Sequence, residues 1–115
     1  MHELSVATSV VEIVREHALA AGVERVTQVT LRIGALSCIH RHTLERCFPV
    51  ACEKTIVEGA DLAVIEVPIS VYCPECQETS ELHDIQPLAC QRCGLPTGDV
   101  RGGNELEIES IEVID

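Results

Sequence analysis

A chain of 115 residues is long enough for one compact domain, or for a small domain carrying a metal-stapled appendage. Its apolar content of 46% supports a core, yet aromatics make up only 2%, so that core is aliphatic, with Phe48 and Tyr72 its only rings. Eight basic against nineteen acidic residues give a formal charge of −11, which repels phosphate backbones, and no run approaches the ~18 consecutive apolar residues of a membrane span.

In chain order, Leu4, Ala7, Val10, Val11, Val14 and Ala18 recur at three- and four-residue steps, which predicts an amphipathic helix over 4–21 with Gly22 as its stop. Over 26–35 the pattern switches to alternation: Thr27, Val29, Leu31 and Ile33 face one way, Gln28, Thr30 and Arg32 the other, as in a half-buried strand. Helical period returns over 42–58 with Leu44, Cys47, Phe48 and Ala51. Pro49 cannot donate to the Glu45 carbonyl, which predicts a kink or an early break there. After the turn Gly59-Ala60-Asp61, a Val/Ile-rich strand is expected over 62–69, ending near Pro68. The last strand is expected over 106–114, with a bulge near Glu109-Ser110 bringing Leu106, Ile108, Ile111 and Val113 to one face.

Between these last two strands lie two Cys-x-x-Cys pairs, Cys73/Cys76 and Cys90/Cys93, thirteen residues apart. Double pairs of this kind are commonly separated by about 15–20 residues, so the loop is slightly short. Each pair grips an ion from one tight turn, with Pro74 and Gly94 supplying the turn chemistry. Four thiolates so arranged make a cage for tetrahedral Zn²⁺, and residues 71–100 have too few apolar side chains to fold without one. The expected architecture is α+β: two helices on one face of a three-stranded sheet, with an inserted four-cysteine zinc-binding module. Residues 1–69 with 103–115 form the α+β domain and 70–102 the insert, with Gly102 and Gly103 as a return hinge.

The first three residues carry a second chelating pattern. At a free terminus, the Met1 α-amine, the His2 amide and imidazole nitrogens and the Glu3 amide nitrogen can share one ion through fused rings. Four nitrogens in a plane suit Ni²⁺ or Cu²⁺ better than Zn²⁺. The competing reading is a Met-His start that is merely solvated. Among the other histidines, His83 is a candidate alternate zinc ligand or an exposed side chain, and His40 with His42 a candidate secondary site on a helix entry. Cys47 lies on the core stripe. No nucleophile–base pairing or glycine-rich phosphate loop stands out, so an enzyme is not expected. The start lacks the basic and apolar regions of a secretory signal, and seven cysteines, an odd number with four claimed by the metal pattern, suit a reducing compartment. A cytoplasmic protein is expected.

Five segments together, Met1-His2-Glu3-Leu4-Ser5, Arg25 to Ser37, Glu58-Gly59-Ala60-Asp61-Leu62, the two cysteine pairs and Gly103 to Ile108, resemble the HypA/HybF family, in the same order along nearly the whole chain. The resemblance implies a nickel metallochaperone for nickel–iron hydrogenase maturation. By it, His2 is the essential nickel ligand, Met1 and Glu3 contribute amine and backbone nitrogen, and the four cysteines hold structural Zn²⁺, with Ni²⁺ carried as cargo. It also implies a HypB-type maturation GTPase and the hydrogenase large subunit as partners, with urease maturation served in some members. A monomer or a homodimer serves that role equally. The rivals are a zinc-ribbon module binding nucleic acid or protein, which the negative charge disfavours, and a rubredoxin-like iron carrier on the same four cysteines.

Overall fold

A computed structural model describes residues 2–83 and 87–115. Two helices and six strands follow one another as α1 (His2–Ala21), β1 (Arg25–Gly34), α2 (Arg41–Cys52), β2 (Asp61–Val67), β3 (Ile69–Cys73), β4 (Glu78–Leu82), β5 (Val100–Gly102) and β6 (Leu106–Ile114), with a single 3₁₀ turn at Ala35–Ser37. The expected α+β class is what forms. Instead of one sheet there are two, each of three strands, in the orders β2-β1-β6 and β4-β3-β5. The chain divides into two compact units. The first holds the stretches up to Leu31, Ile39–Ile65 and Ile108–Asp115; the second holds Arg32–Cys38 and Glu66–Glu107.

In the first unit α1 buries Ala7, Val10, Val11, Val14 and Ala18 of the predicted stripe, leaves Leu4 exposed at its open first turn, and packs on α2. Helix α1 stops as its sequence requires. Gly22 takes a left-handed φ of 71°, its N–H bonds the Leu19 carbonyl at 3.2 Å, and the Val23 N–H reaches back to the Ala18 carbonyl. These two bonds satisfy carbonyls that the last turn would otherwise leave open. Strand β1 buries Val29 and Leu31 as expected. Val26, of the opposite parity, is also fully buried, and its N–H bonds the Ile56 carbonyl in the loop after α2 at 3.1 Å.

Helix α2 departs from the pattern read in the sequence. It runs through Pro49 and ends at Cys52, not at residue 58. Its buried residues are Leu44, Phe48 and Cys52, a straight i, i+4, i+8 row, whereas Cys47 is only half-buried. Burial of that row outweighs the one hydrogen bond Pro49 withholds so near the helix end. The stop then comes from the Thr55 hydroxyl, 2.7 Å from the Cys52 carbonyl, and from Lys54 in a left-handed conformation.

In the second unit, β3 pairs antiparallel with β4 from Ile69↔Leu82 to Cys73↔Glu78, and antiparallel with β5 through Ser70↔Gly102 and Val71↔Val100. Strand β2 ends at Val67, beside Pro68, as expected; after that one residue the chain resumes as β3, the centre strand of the second sheet. Ile69, Val71 and Leu82 form its small core, with Leu36, Leu88 and Val100 against it. Gly102 and Gly103 are buried and are a tight crossing rather than a hinge: a Cβ on Gly103 would sit 2.8 Å from the Ile69 Cα. On β6 the half-buried positions Ile108 and Ile111 are of opposite parity, while Leu106 and Val113 are exposed, so the four do not share one buried face.

Candidate metal centres

Alternation along β3 places Cys73 on the inward face with Ile69 and Val71, and the strand ends there. The chain then turns through Pro74, Glu75 and Cys76. The Gln77 N–H bonds the Cys73 carbonyl at 2.8 Å, with Gln77 at a left-handed φ of 55°. The second pair repeats the device: the Gly94 N–H bonds the Cys90 carbonyl at 2.9 Å, with Gly94 at φ 78°. A miniature hairpin holds this second turn, through Cys90 N–H to the Leu95 carbonyl, Thr97 N–H to the Leu88 carbonyl, and the Ala89↔Pro96 bridge.

The two turns converge. The sulfurs of Cys73, Cys76, Cys90 and Cys93 all lie within 4.8 Å of one another; Cys73 and Cys93 are 3.7 Å apart, and Cys76 and Cys90 3.9 Å. A tetrahedron of sulfurs about 2.3 Å from a zinc ion has edges of ~3.8 Å. The donor set suits Zn²⁺, and two of the edges match that length while every pair stays within 4.8 Å. Among the described residues this is the one group of three or more such donors placed to share an ion.

The electrostatics of the four thiols also call for a cation. Backbone N–H groups of Cys93 and Arg92, with lesser help from Ser80, hold the Cys90 thiol down to about 6. Its neighbour Cys76 is pushed up to about 12, first by its contact with Cys93 and then by burial and the other sulfurs. Four adjacent thiolates cannot coexist unless a positive ion takes up their charge. Around them, Arg92 pairs with Glu78 at 2.8 Å, and Arg101 pairs with Asp99 at 2.7 Å while stacking on the Tyr72 ring. Both arginines of the cysteine module are thus already committed to carboxylates, as a nucleic-acid-binding ribbon would not have them.

The other predicted ligands lie at the start of α1. Met1 is outside the described residues. His2 is exposed on the first turn, while Glu3 is only 8% exposed and is the one buried charged residue among those described. Its carboxylate accepts the backbone N–H of His40 at 3.2 Å. That bond, then one from its own N–H, outweighs burial and holds Glu3 below the usual carboxylate value, with the His2 and His40 imidazoles adding to the effect. A depressed carboxylate stabilises the fold above its ordinary pKa, and that stability is lost as pH falls through the lower, folded value. In urea unfolding, Glu3→Gln is therefore expected to lie below wild type at neutral pH, with the gap closing as the solution is acidified below the usual value of 4.5. A gap that stays constant with pH would count against this role.

The secondary candidates do not assemble. His83 is exposed and is not among the clustered donors. His42 is exposed and sits 3.4 Å from the Glu45 carboxylate. Cys38 is exposed, and Cys52 is a buried thiol pushed up to about 11 by desolvation. Sequence reading missed two contacts, Ser80 beside Cys90 and Glu3 beside His40. Neither has a signal in residue spacing, because each joins distant segments.

Comparison with known proteins places the chain in a family. Residues 1–113 match the family model described as hydrogenase/urease nickel incorporation, metallochaperone, hypA. The chain is 44% identical over 115 residues to the hydrogenase maturation factor HypA of a Roseiflexus species, covering 100% of this chain and 94% of that protein. It is 41% identical over 112 residues to HypA of Chloroflexus aurantiacus, covering 97% and 98%. In fold it is similar to the solution structure of the nickel metallochaperone HypA from Helicobacter pylori, with a TM-score of 0.68 at 23% identity over 97% of both chains.

Proposed function

Because this chain belongs to the HypA family of hydrogenase/urease nickel-incorporation metallochaperones, which are not enzymes, we propose that it binds Ni²⁺ at its amino end and hands it on during nickel–iron hydrogenase maturation. Met1, His2 and Glu3 hold the cargo ion, and Cys73, Cys76, Cys90 and Cys93 hold a resident Zn²⁺. The observation that carries the division of labour is the sulfur cluster, whose edges suit tetrahedral zinc and leave no open position for exchange. The transported ion needs a different, labile site.

The first turn of α1 suits that purpose. His2 and Glu3 lie in the first turn of α1, where helix N–H groups have no intrahelical acceptor, so using their nitrogens as ligands costs the helix no backbone bond. His2 is exposed, where a recipient can displace it, and Glu3 anchors the turn through His40. Ligands that detach one at a time lower the barrier to transfer. When bound, Zn²⁺ supplies cohesion to the cysteine module. Residues 1–69 with 103–115 act as the nickel-binding part, and 70–102 as the zinc-binding part. The partners are a HypB-type GTPase, which performs any nucleotide hydrolysis, and the hydrogenase large subunit, with urease maturation a further outlet. The setting is the cytoplasm; no helix among the described residues is long and apolar enough to cross a membrane.

The test is a calorimetric nickel titration of protein with its native amino end, of His2→Ala, and of protein with one residue added before Met1. Wild type is expected to bind one Ni²⁺ per chain at this site, and the two altered proteins to lose it while keeping zinc and fold. Equal nickel binding by all three would end the proposal.

A further inference from the structure

Strand β4 does more than pair with β3. Its inward face carries Leu82 and, two residues before it, the half-buried Ser80, which the register sets opposite Val71. The Ser80 hydroxyl oxygen lies 3.9 Å from the Cys90 sulfur and accepts the Gln91 N–H at 3.4 Å. A hydroxyl has one proton to give and lone pairs to receive. With its oxygen taking the Gln91 N–H, its own proton is free for the sulfur. A metal-bound thiolate accepts only, so with an ion in the cage Ser80 would donate and Cys90 accept. The Arg92 N–H reaches the same sulfur at 3.3 Å. One more contact from this strand joins Glu78 to the Arg92 guanidinium at 2.8 Å. Strand β4 thus touches residues 90, 91 and 92 of the second cysteine turn, although it follows the first.

We infer that Ser80 is a positioning residue of the cysteine cage, orienting the Cys90 thiolate and fastening the second cysteine turn to the hairpin that carries the first. The inference rests on the reading that the four cysteines hold Zn²⁺. Without the hydroxyl, Cys90 keeps its sulfur but loses one of the donors that aim it, and Gln91 loses its acceptor. The second turn then samples more orientations before and after the ion arrives. Outer partners of metal ligands are commonly worth about 10–100-fold in metal affinity.

Serine, threonine and valine at this position separate the hydroxyl from its surroundings. Threonine and valine are nearly isosteric and both favour strands, so a purely structural role treats them alike. Zinc affinity of the full chain would be measured by competition with a chromophoric chelator. The thiolate-to-metal charge-transfer bands would be recorded after Co²⁺ replacement. Ser80→Val is expected to bind zinc ~10–100-fold more weakly than Ser80→Thr, with shifted cobalt bands, while Ser80→Thr stays with wild type. Should the valine protein purify without zinc while the threonine protein keeps it, the inference also stands. Equal affinities and equal spectra for the two would overturn it. A wild-type protein that holds no stoichiometric zinc would overturn instead the cage reading beneath it.

Discussion

Serine in place of Cys73 is expected to empty the zinc site and unfold the cysteine module, the largest effect of any single side chain in this protein. The module's own core is three buried residues, Ile69, Val71 and Leu82, flanked by Leu36, Leu88 and Val100. That is too little apolar burial to offset the ordering of β3, β4, β5 and both cysteine turns. Metal binding contributes about 10–16 kcal/mol in comparable zinc peptides, and on the proposed reading of the cysteine cage a bound Zn²⁺ would close the gap. Losing one thiolate leaves three sulfurs with an incomplete shell. Removing the ion altogether with a strong chelator should give the same state. Metal analysis would read zinc per chain, and limited proteolysis would read protection between residues 66 and 107. The first unit, with its own buried row on α1 and α2, should keep its helical circular dichroism. A module that stays protease-resistant without zinc would refute the assignment of the metal as its main staple.

Gly34→Ala is expected to be nearly as damaging, for a reason unconnected with metal. A Cβ there would meet the Gly103 carbonyl carbon and oxygen at 2.1 Å and the Asn104 nitrogen at 2.6 Å. All three are backbone atoms, which cannot swing aside as a side chain can. They are held in place by the bonds that make the crossing: Gly34 N–H to the Glu105 carbonyl at 2.8 Å and Leu36 N–H to the Gly103 carbonyl at 2.6 Å. Overpacking against mobile side chains costs about 1–3 kcal/mol. Here β1 and the backbone between β5 and β6 must part, so a loss at or beyond the top of that range is expected, read as a fall in the denaturant midpoint. Gly22→Ala supplies the contrast, because nothing lies within 4 Å of its Cβ position and only its left-handed φ of 71° is at stake. That strain amounts to about 1–2 kcal/mol. If Gly34→Ala were no worse than Gly22→Ala, the close crossing of the two backbones would be wrong.

Those two substitutions mark the boundary of what could be read from residues alone. Cysteine spacing announces a shared ion because the two-residue gap brings both sulfurs of a pair to one turn. Helix α1 was legible from its stripe and its glycine stop, and β1 from its alternation, because each pattern states which side is buried. The short strands were not legible. Glu78–Leu82 and Val100–Gly102 have almost no apolar period, and they become strands because β3 offers them two unpaired edges. The end of α2 escaped too, since Pro49 signals a break while the buried row Leu44, Phe48 and Cys52 carries the helix past it.

The amino-acid order by itself determined the four-cysteine set, the α+β class and the family, since all three depend on residue type and local spacing. Only the tertiary structure decided that Gly34 must be glycine, that Glu3 is buried under the His40 amide, and that Ser80 stands beside Cys90. Each of those pairs joins separate segments of the chain, with separations of 69, 37 and 10 residues. Period and spacing describe a chain's neighbours along its own path; which strangers meet is settled by the packing of whole elements.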